Sequence, residues 1–245
     1  MYILKSYKGE VFRKAIHLLL VSLLVIPLTP HYRQFFQDIE FPYDATLFTY
    51  TLLTFISAFI NSLQIRMPSI YVASLKMIRD FRKRIIDYIN ENIKIENIAE
   101  FLKDIDNAFN KHEERFTEFI AGIEREYEKK YGYISITFGI VSITLAYILF
   151  GALSTLYGIL ALAIIDPITA ITTLLTRNSK KILKHTLPSI TIAFIVYSLI
   201  CFLINNNIVN AISIALVAVT VELFSPEDNL TLPLFTALAS YMLHH

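Results

Sequence analysis

The sequence predicts an all-α protein, a polytopic transmembrane bundle of about seven spans with a cytoplasmic antiparallel helical hairpin. Three observations predict it. Apolar residues make up 55% of the 245 residues and charged ones only 18%, and the mean hydropathy is +0.52, more apolar surface than a soluble domain of this length hides. Apolar runs of near-spanning length recur along the chain. The basic residues are gathered into a few of the connections between those runs.

In chain order, Lys5, Lys8, Arg13 and Lys14 precede or open an apolar run over 11–27. No small-residue cleavage site follows before Pro27 and Pro30, so the run reads as a retained first span rather than a signal peptide. The second run is 45–64, and the later ones are 133–150, 152–176, 187–204, 208–224 and 230–243. Several fall short of the roughly 20 residues a crossing needs, which calls for tilt or for burial inside the bundle. Gly151 alone separates the third and fourth runs, predicting a tight antiparallel pair; Asn205, Asn206 and Asn207 make the equivalent turn between the fifth and sixth. With seven spans and the N-terminus inside, twenty-one of the twenty-two basic residues face the cytoplasm, Arg33 being the exception, as the positive-inside rule expects.

The stretch from Arg66 to Lys130 is different material, with thirteen basic and thirteen acidic residues. Ile78, Phe81, Ile85 and Ile89 form one apolar stripe; Ile98, Leu102, Ile105, Phe109, His112, Phe116, Phe119 and Ile123 form a second with a heptad period. Asn97 and Glu100 fit a capping box that starts the second helix, leaving Lys94 to Glu96 as the turn. His112 falls on the expected seam as a register-setting polar residue. The chain thus divides into 1–65 (two spans), 66–130 (hairpin) and 131–245 (five spans).

Several chemistries are excluded. Net charge is +1 and pI about 7.8, so no global charge favours nucleic acid. The single cysteine, Cys201, lies in an apolar run and reads as packing. None of the six glycines forms a phosphate-cradling cluster, and no Walker pattern, nucleophile elbow or zinc spacing occurs.

Ionisable groups near membrane depth are costly and therefore mark function. Glu10, Arg13, Lys14 and His17 share one helix face at the start of the first span; the plainer reading is an interfacial anchor whose cations snorkel. Asp166-Pro167 is expected to interrupt the fourth span, bringing a carboxylate and freed carbonyls together, or else to be a kink with Asp166 paired to a lysine. Glu222, Ser225, Glu227, Asp228 and Asn229, before Thr231 and Pro233, form an oxygen-rich corner suited to magnesium with phosphate oxygens; the alternative is a solvated turn with an Asx cap. The topology brings all three sets, and the basic loop Arg177, Lys180, Lys181 and Lys184, to one membrane face. Carboxylates for a metal, cations for phosphates and access to lipid are the parts of phosphoryl transfer to a lipid hydroxyl.

The string Glu10-Val11-Phe12-Arg13-Lys14-Ala15-Ile16-His17 resembles the E-x-x-R-K-x-x-H opening of the dolichol kinase, phytol kinase and CTP-dependent diacylglycerol kinase family. Tyr131-Gly132-Tyr133 leading to Gly139, Asp166 followed by a small apolar helix, and Glu222 followed by Asp228-Asn229-Leu230-Thr231-Leu232-Pro233-Leu234 are similar to its later motifs. Order and spacing agree over 10–27 and 131–236, with 66–130 standing as an insertion. The chain departs from the pattern in having Ile165 where the family has glycine before Asp166, Thr176-Arg177-Asn178-Ser179-Lys180-Lys181 for a glycine-bearing loop, and His185-Thr186-Leu187-Pro188-Ser189-Ile190 for K-T-L-E-G-S. The missing glycines remove points of close backbone approach to phosphate.

The resemblance implies a membrane kinase that transfers the γ-phosphate of CTP to a polyisoprenoid alcohol, with Mg²⁺ as cofactor. Asp166, Glu222 and Asp228 would position Mg²⁺ or activate the hydroxyl; Arg13, Lys14 and Lys184 would neutralise the triphosphate; His17 and Asn229 would orient the others. The expected partners are the lipid alcohol, CTP, and a protein or second copy through the hairpin, with no nucleic acid. A cytidylyltransferase acting on a phospholipid, and a noncatalytic scaffold using the hairpin, are the rival readings.

Overall fold

A computed structural model of the chain describes residues 2–66, 70–92, 104–115, 117 and 134–244. In order they form α1 (Tyr2–Leu23), a 3-10 turn (Ile26–Leu28), α2 (Pro30–Asp38), α3 (Ala45–Arg66), α4 (Ile70–Asn92), α5 (104–115), α6 (Ile134–Leu175), β1 (Lys181–Ile182), β2 (His185–Thr186), α7 (Leu187–Asn205), α8 (Ile208–Phe224) and α9 (Asp228–His244). Apart from the two-residue antiparallel ladder of β1 and β2, the regular structure among the described residues is helical. Four segments are long and apolar enough to cross a membrane: Gly9–Leu28, Ala45–Arg66, Ile134–Leu175 and Leu187–Asn205; Ile208–Phe224 is apolar but shorter.

The chain falls into two compact units, one made of Met1–Phe59 with Ile134–His245 and the other of Ile60–Tyr133. Within the first, α6 is central, packing against α1, α7 and, most extensively, α9. α6 runs for 42 residues and has one non-helical residue, Gly151, at φ 76° and ψ −178°. A side chain rarely tolerates that φ, and glycine does so without steric cost. The chain reverses there: Gly139 and Leu162 would be about 35 Å apart on a straight helix, yet a Cβ on Gly139 would lie 3.8 Å from Leu162 Cδ2. The two arms therefore lie antiparallel, as the lone glycine predicted.

Pro167 does not interrupt the helix as expected, since Gly151 is the sole non-helical residue of α6. Its ring fixes a φ that a helix accepts, and only one amide donor is lost. The Thr169 hydroxyl donates to the carbonyls of Ile165 at 2.9 Å and Asp166 at 3.1 Å, adding a donor in the same turn. Pro233 is likewise inside α9, which starts at Asp228, earlier than the 230 expected. At the Asn turn, Asn206 closes α7 in the left-handed conformation at φ 53°. Asn207 then caps α8, accepting from Val209 N and Asn210 N at 3.0 and 3.2 Å.

The interior of this unit is built from small and hydroxylated residues, including Ser142, Thr155, Ala161, Ala193, Ala215, Ser240 and Ala237, which let helix backbones approach closely. Large apolar side chains such as Leu19, Phe55, Leu203 and Phe224 are exposed instead, the arrangement of a lipid-facing surface. α6 and α9 cross closely: a Cβ on Gly158 would stand 2.4 Å from the Pro233 carbonyl oxygen. Gly158→Ala is expected to destabilise the full chain by about 1–3 kcal/mol through overpacking, read as a lower unfolding midpoint in detergent. Gly139→Ala, which meets nothing nearer than 3.8 Å, is the control and should be silent.

In the second unit, Arg82 joins α4 to α5. It donates to Asp106 Oδ1 at 2.6 Å, Glu113 Oε1 at 2.7 Å and Asn110 Oδ1 at 2.8 Å, and Arg79 Nε donates to Glu113 Oε2 at 2.9 Å. Hydrogen bonding to Arg82 holds the Asp106 carboxyl below its ordinary range; for Glu113 burial pushes upward, and the two arginines outweigh it. The seam differs from the one the heptad pattern predicted. Ile78, Phe81 and Ile85 are exposed and His112 is exposed, whereas its neighbour Glu113 is buried. Among the described residues, charge-assisted bonds from two arginines of α4 make the contact with α5. The Lys94–Glu96 turn, the Asn97 and Glu100 cap, and Ile98, Leu102, Phe116, Phe119 and Ile123 lie outside the described residues.

Candidate functional site

Three segments far apart in sequence bring carboxylates together. Asp166 comes from the second arm of α6, Glu222 from the last turn of α8, and Asp228 from the first turn of α9. One oxygen of each lies within 4.8 Å of the other two. Each carboxylate is met by a cation. Lys14 Nζ reaches Asp166 Oδ1 at 2.5 Å, and both residues are buried, at 8% and 9% exposure. His17 Nε2 stands 3.3 Å from Asp166 Oδ2. Lys184 pairs with Asp228 and lies 3.9 Å from Glu222 Oε1.

Glu222 is 1% exposed. Its Oε1 faces His185 Nε2 at 3.1 Å, with the Thr169 hydroxyl, which donates to backbone carbonyls, 3.3 Å away. Its Oε2 is equally buried and has no hydrogen-bond partner among the described residues. A carboxylate at a helix C-terminus already works against the helix dipole, and an orphaned buried oxygen adds about 1–3 kcal/mol. Burial and the Glu222 charge push the Asp228 carboxyl up to about 6, against the pull of Lys184.

Of the other residues singled out by sequence, Arg13 pairs with Glu10 one turn earlier on α1, so Lys14 and His17 are the α1 side chains that meet Asp166. Asn229 donates to Glu227 Oε1 at 3.3 Å and packs beside Gly139; its amide braces the α8–α9 corner. Ser225 performs the capping there, accepting from Glu227 N at 3.0 Å and bonding Thr231 at 2.5 Å. Sequence reasoning did not single out His185, Thr169 or Thr173. Thr169 and Thr173 follow Asp166 at i+3 and i+7, one helix face, and that spacing is the signal that could have found them.

The donor set fits a hard divalent cation. All three potential ligands are carboxylates, and one buried oxygen among them lacks any other partner. Compared with known proteins, the chain matches no family model, no curated protein and no solved structure.

Proposed function

We propose that this protein is an integral membrane lipid kinase that transfers the γ-phosphate of CTP to a polyisoprenoid alcohol at the cytoplasmic face. The observation that carries the reading is the meeting of Asp166, Glu222 and Asp228 beside Lys14 and Lys184. Acidic groups and cations at one point are what transfer of a phosphoryl group between two oxygens requires. The motif resemblance of the α1 start and the α8–α9 corner supplies the choice of CTP and of a prenol.

Asp166, Glu222 and Asp228 hold Mg²⁺ in this reading. When bound, the ion supplies charge neutralisation to a triphosphate. Lys14 and Lys184 sit at the edges of the cluster, where their ammonium groups can take phosphate oxygens. The lipid hydroxyl oxygen forms a bond to the γ-phosphorus, the bond from that phosphorus to the β-bridging oxygen breaks, and CDP leaves. A carboxylate of the cluster that the ion leaves free would accept the hydroxyl proton. The apolar outer faces of α1 and α3 let a prenol chain lie alongside.

The test is to incubate the purified full chain with radiolabelled CTP or ATP and a panel of prenols. Labelled prenyl phosphate with release of CDP supports the kinase; release of pyrophosphate with a nucleotide-linked lipid supports the cytidylyltransferase. In the metal-free protein the Asp228 carboxyl, raised to about 6 from an unfolded value of about 3.9, favours folding in acid and loses that contribution as pH rises from about 4 to 6. The unfolding midpoint measured against pH in chelator would read this. No turnover with any acceptor, in a folded preparation, would leave the scaffold as the reading.

For orientation, the charge distribution supports about seven spans with the N-terminus and the 66–130 hairpin inside. In a Cys201→Ala background, Gln37→Cys and Asn178→Cys should react with an impermeant maleimide from opposite sides of sealed vesicles. Labelling of both from one side would overturn that topology.

A further inference from the structure

We infer that His185 is a positioning residue that holds one oxygen of Glu222 and leaves the other for a ligand, and through this sets the affinity of the site for a divalent cation. This rests on reading the cluster as a cation site.

A glutamate's last torsion is broad and roughly two-fold, so its two oxygens exchange unless something distinguishes them. Here something does. Oε1 faces His185 and has the Thr169 hydroxyl at 3.3 Å, while Oε2 is buried without a partner among the described residues. Thr169 alone, at 3.3 Å, is a long contact; the imidazole at 3.1 Å is the shorter of the two.

The ring is itself held by an ordered chain of hydroxyls. Ser189 Oγ donates to the Thr186 carbonyl at 2.8 Å, and Thr173 Oγ1 donates to Ser189 Oγ at 2.9 Å. Thr173 Oγ1 also lies 3.2 Å from His185 Nδ1, and the ring is fixed with Nε2 aimed at Glu222. The backbone reinforces this. His185 pairs with Ile182 in the β-ladder, Leu183 turns the chain at φ 55°, and Thr186 bonds Thr176, just past the end of α6, at 2.5 Å. His185 is 8% exposed, so water does not compete for its nitrogens.

The arrangement is that of an outer residue that orients a metal ligand through its free atom, a role whose loss costs about 10- to 100-fold in metal affinity. The test measures Mn²⁺ binding to the full-length protein in detergent by loss of the free-ion electron paramagnetic resonance signal. Glu222→Gln is expected to abolish the tight site. His185→Ala should weaken it by about 10- to 100-fold. His185→Gln, whose amide nitrogen reaches the Nε2 position, should restore most of the affinity, whereas His185→Asn, which reaches only the Nδ1 position, should behave as alanine. If His185→Ala does not fold, Thr173→Val removes the hydroxyl that holds the ring and should weaken binding in the same direction. Wild-type affinity in a folded His185→Ala protein, with Glu222→Gln abolished, would overturn the positioning role and leave the cation site standing. His185→Gln no better than alanine would assign the histidine to packing and also overturn it. Unchanged Mn²⁺ binding in Glu222→Gln would remove the cation site itself.

Discussion

Glu222→Gln is expected to lower prenol phosphorylation by about 10³-fold or more, the scale on which phosphoryl-transfer enzymes lose rate when one charge-stabilising group goes. The substitution keeps the size of the side chain and removes its charge. An amide nitrogen must then occupy one of two places. Beside Oε1 it would meet the His185 ring and the Thr169 hydroxyl; at Oε2 it would put a donor where a ligand needs an acceptor. Asp228→Ala should be as severe, because it removes a carboxylate from the cluster and leaves Lys184 without its close partner. Both are checked by CTP-dependent turnover in membranes with a protein-level control. Unaltered turnover in Asp228→Ala would remove Asp228 from the mechanism. Deletion of about residues 70–128 separates the rivals, since retained turnover makes that segment an accessory to an enzyme.

How much of this was legible before the structure depends on the distance over which each signal acts. The reversal at Gly151 and the caps at Asn206 and Asn207 are local, written by residues that tolerate positive φ or bond their own backbone. The α1 face was also legible, because helical spacing puts Lys14 and His17 one above the other. The same spacing could not tell that Arg13 would be taken by Glu10. Asp166, Glu222 and Asp228 stood out by the cost of charge among apolar residues. What the chain did not disclose was the support beneath them. His185 reaches Glu222 through a ladder of two-residue strands, too short for any periodicity, turned by a leucine at φ 55° where no glycine announces it. In the 66–130 segment the apolar heptads did not announce the two arginines that join α4 to α5 among the described residues. Pro167 shows a local rule yielding to context: one missing donor is a small loss in a helix packed on α1, α7 and α9.

The second large effect concerns stability. Asp166→Ala leaves the Lys14 ammonium, 8% exposed, with no carboxylate at 2.5 Å to answer it. Breaking a buried pair from one side typically costs about 3–5 kcal/mol, and surrounding lipid gives the charge no better refuge. The single variant should therefore unfold at markedly lower denaturant in detergent, and Lys14→Met alone should do the same from the other side, with Asp166 left against His17. The double variant Lys14→Met/Asp166→Ala is expected to recover most of that loss, because two desolvated charges disappear together and the methionine fills the lysine stem's space. Prenol phosphorylation should not return with the fold. A buried ion pair that can be exchanged for apolar atoms at little cost in stability is not needed to hold helices together. Its persistence beside two further carboxylates then has to be explained by what the charges do to a ligand. Additive losses in the double variant, with no coupling between positions 14 and 166, would mean that the lysine is not bound to Asp166, and the α1 side of the site would have to be withdrawn.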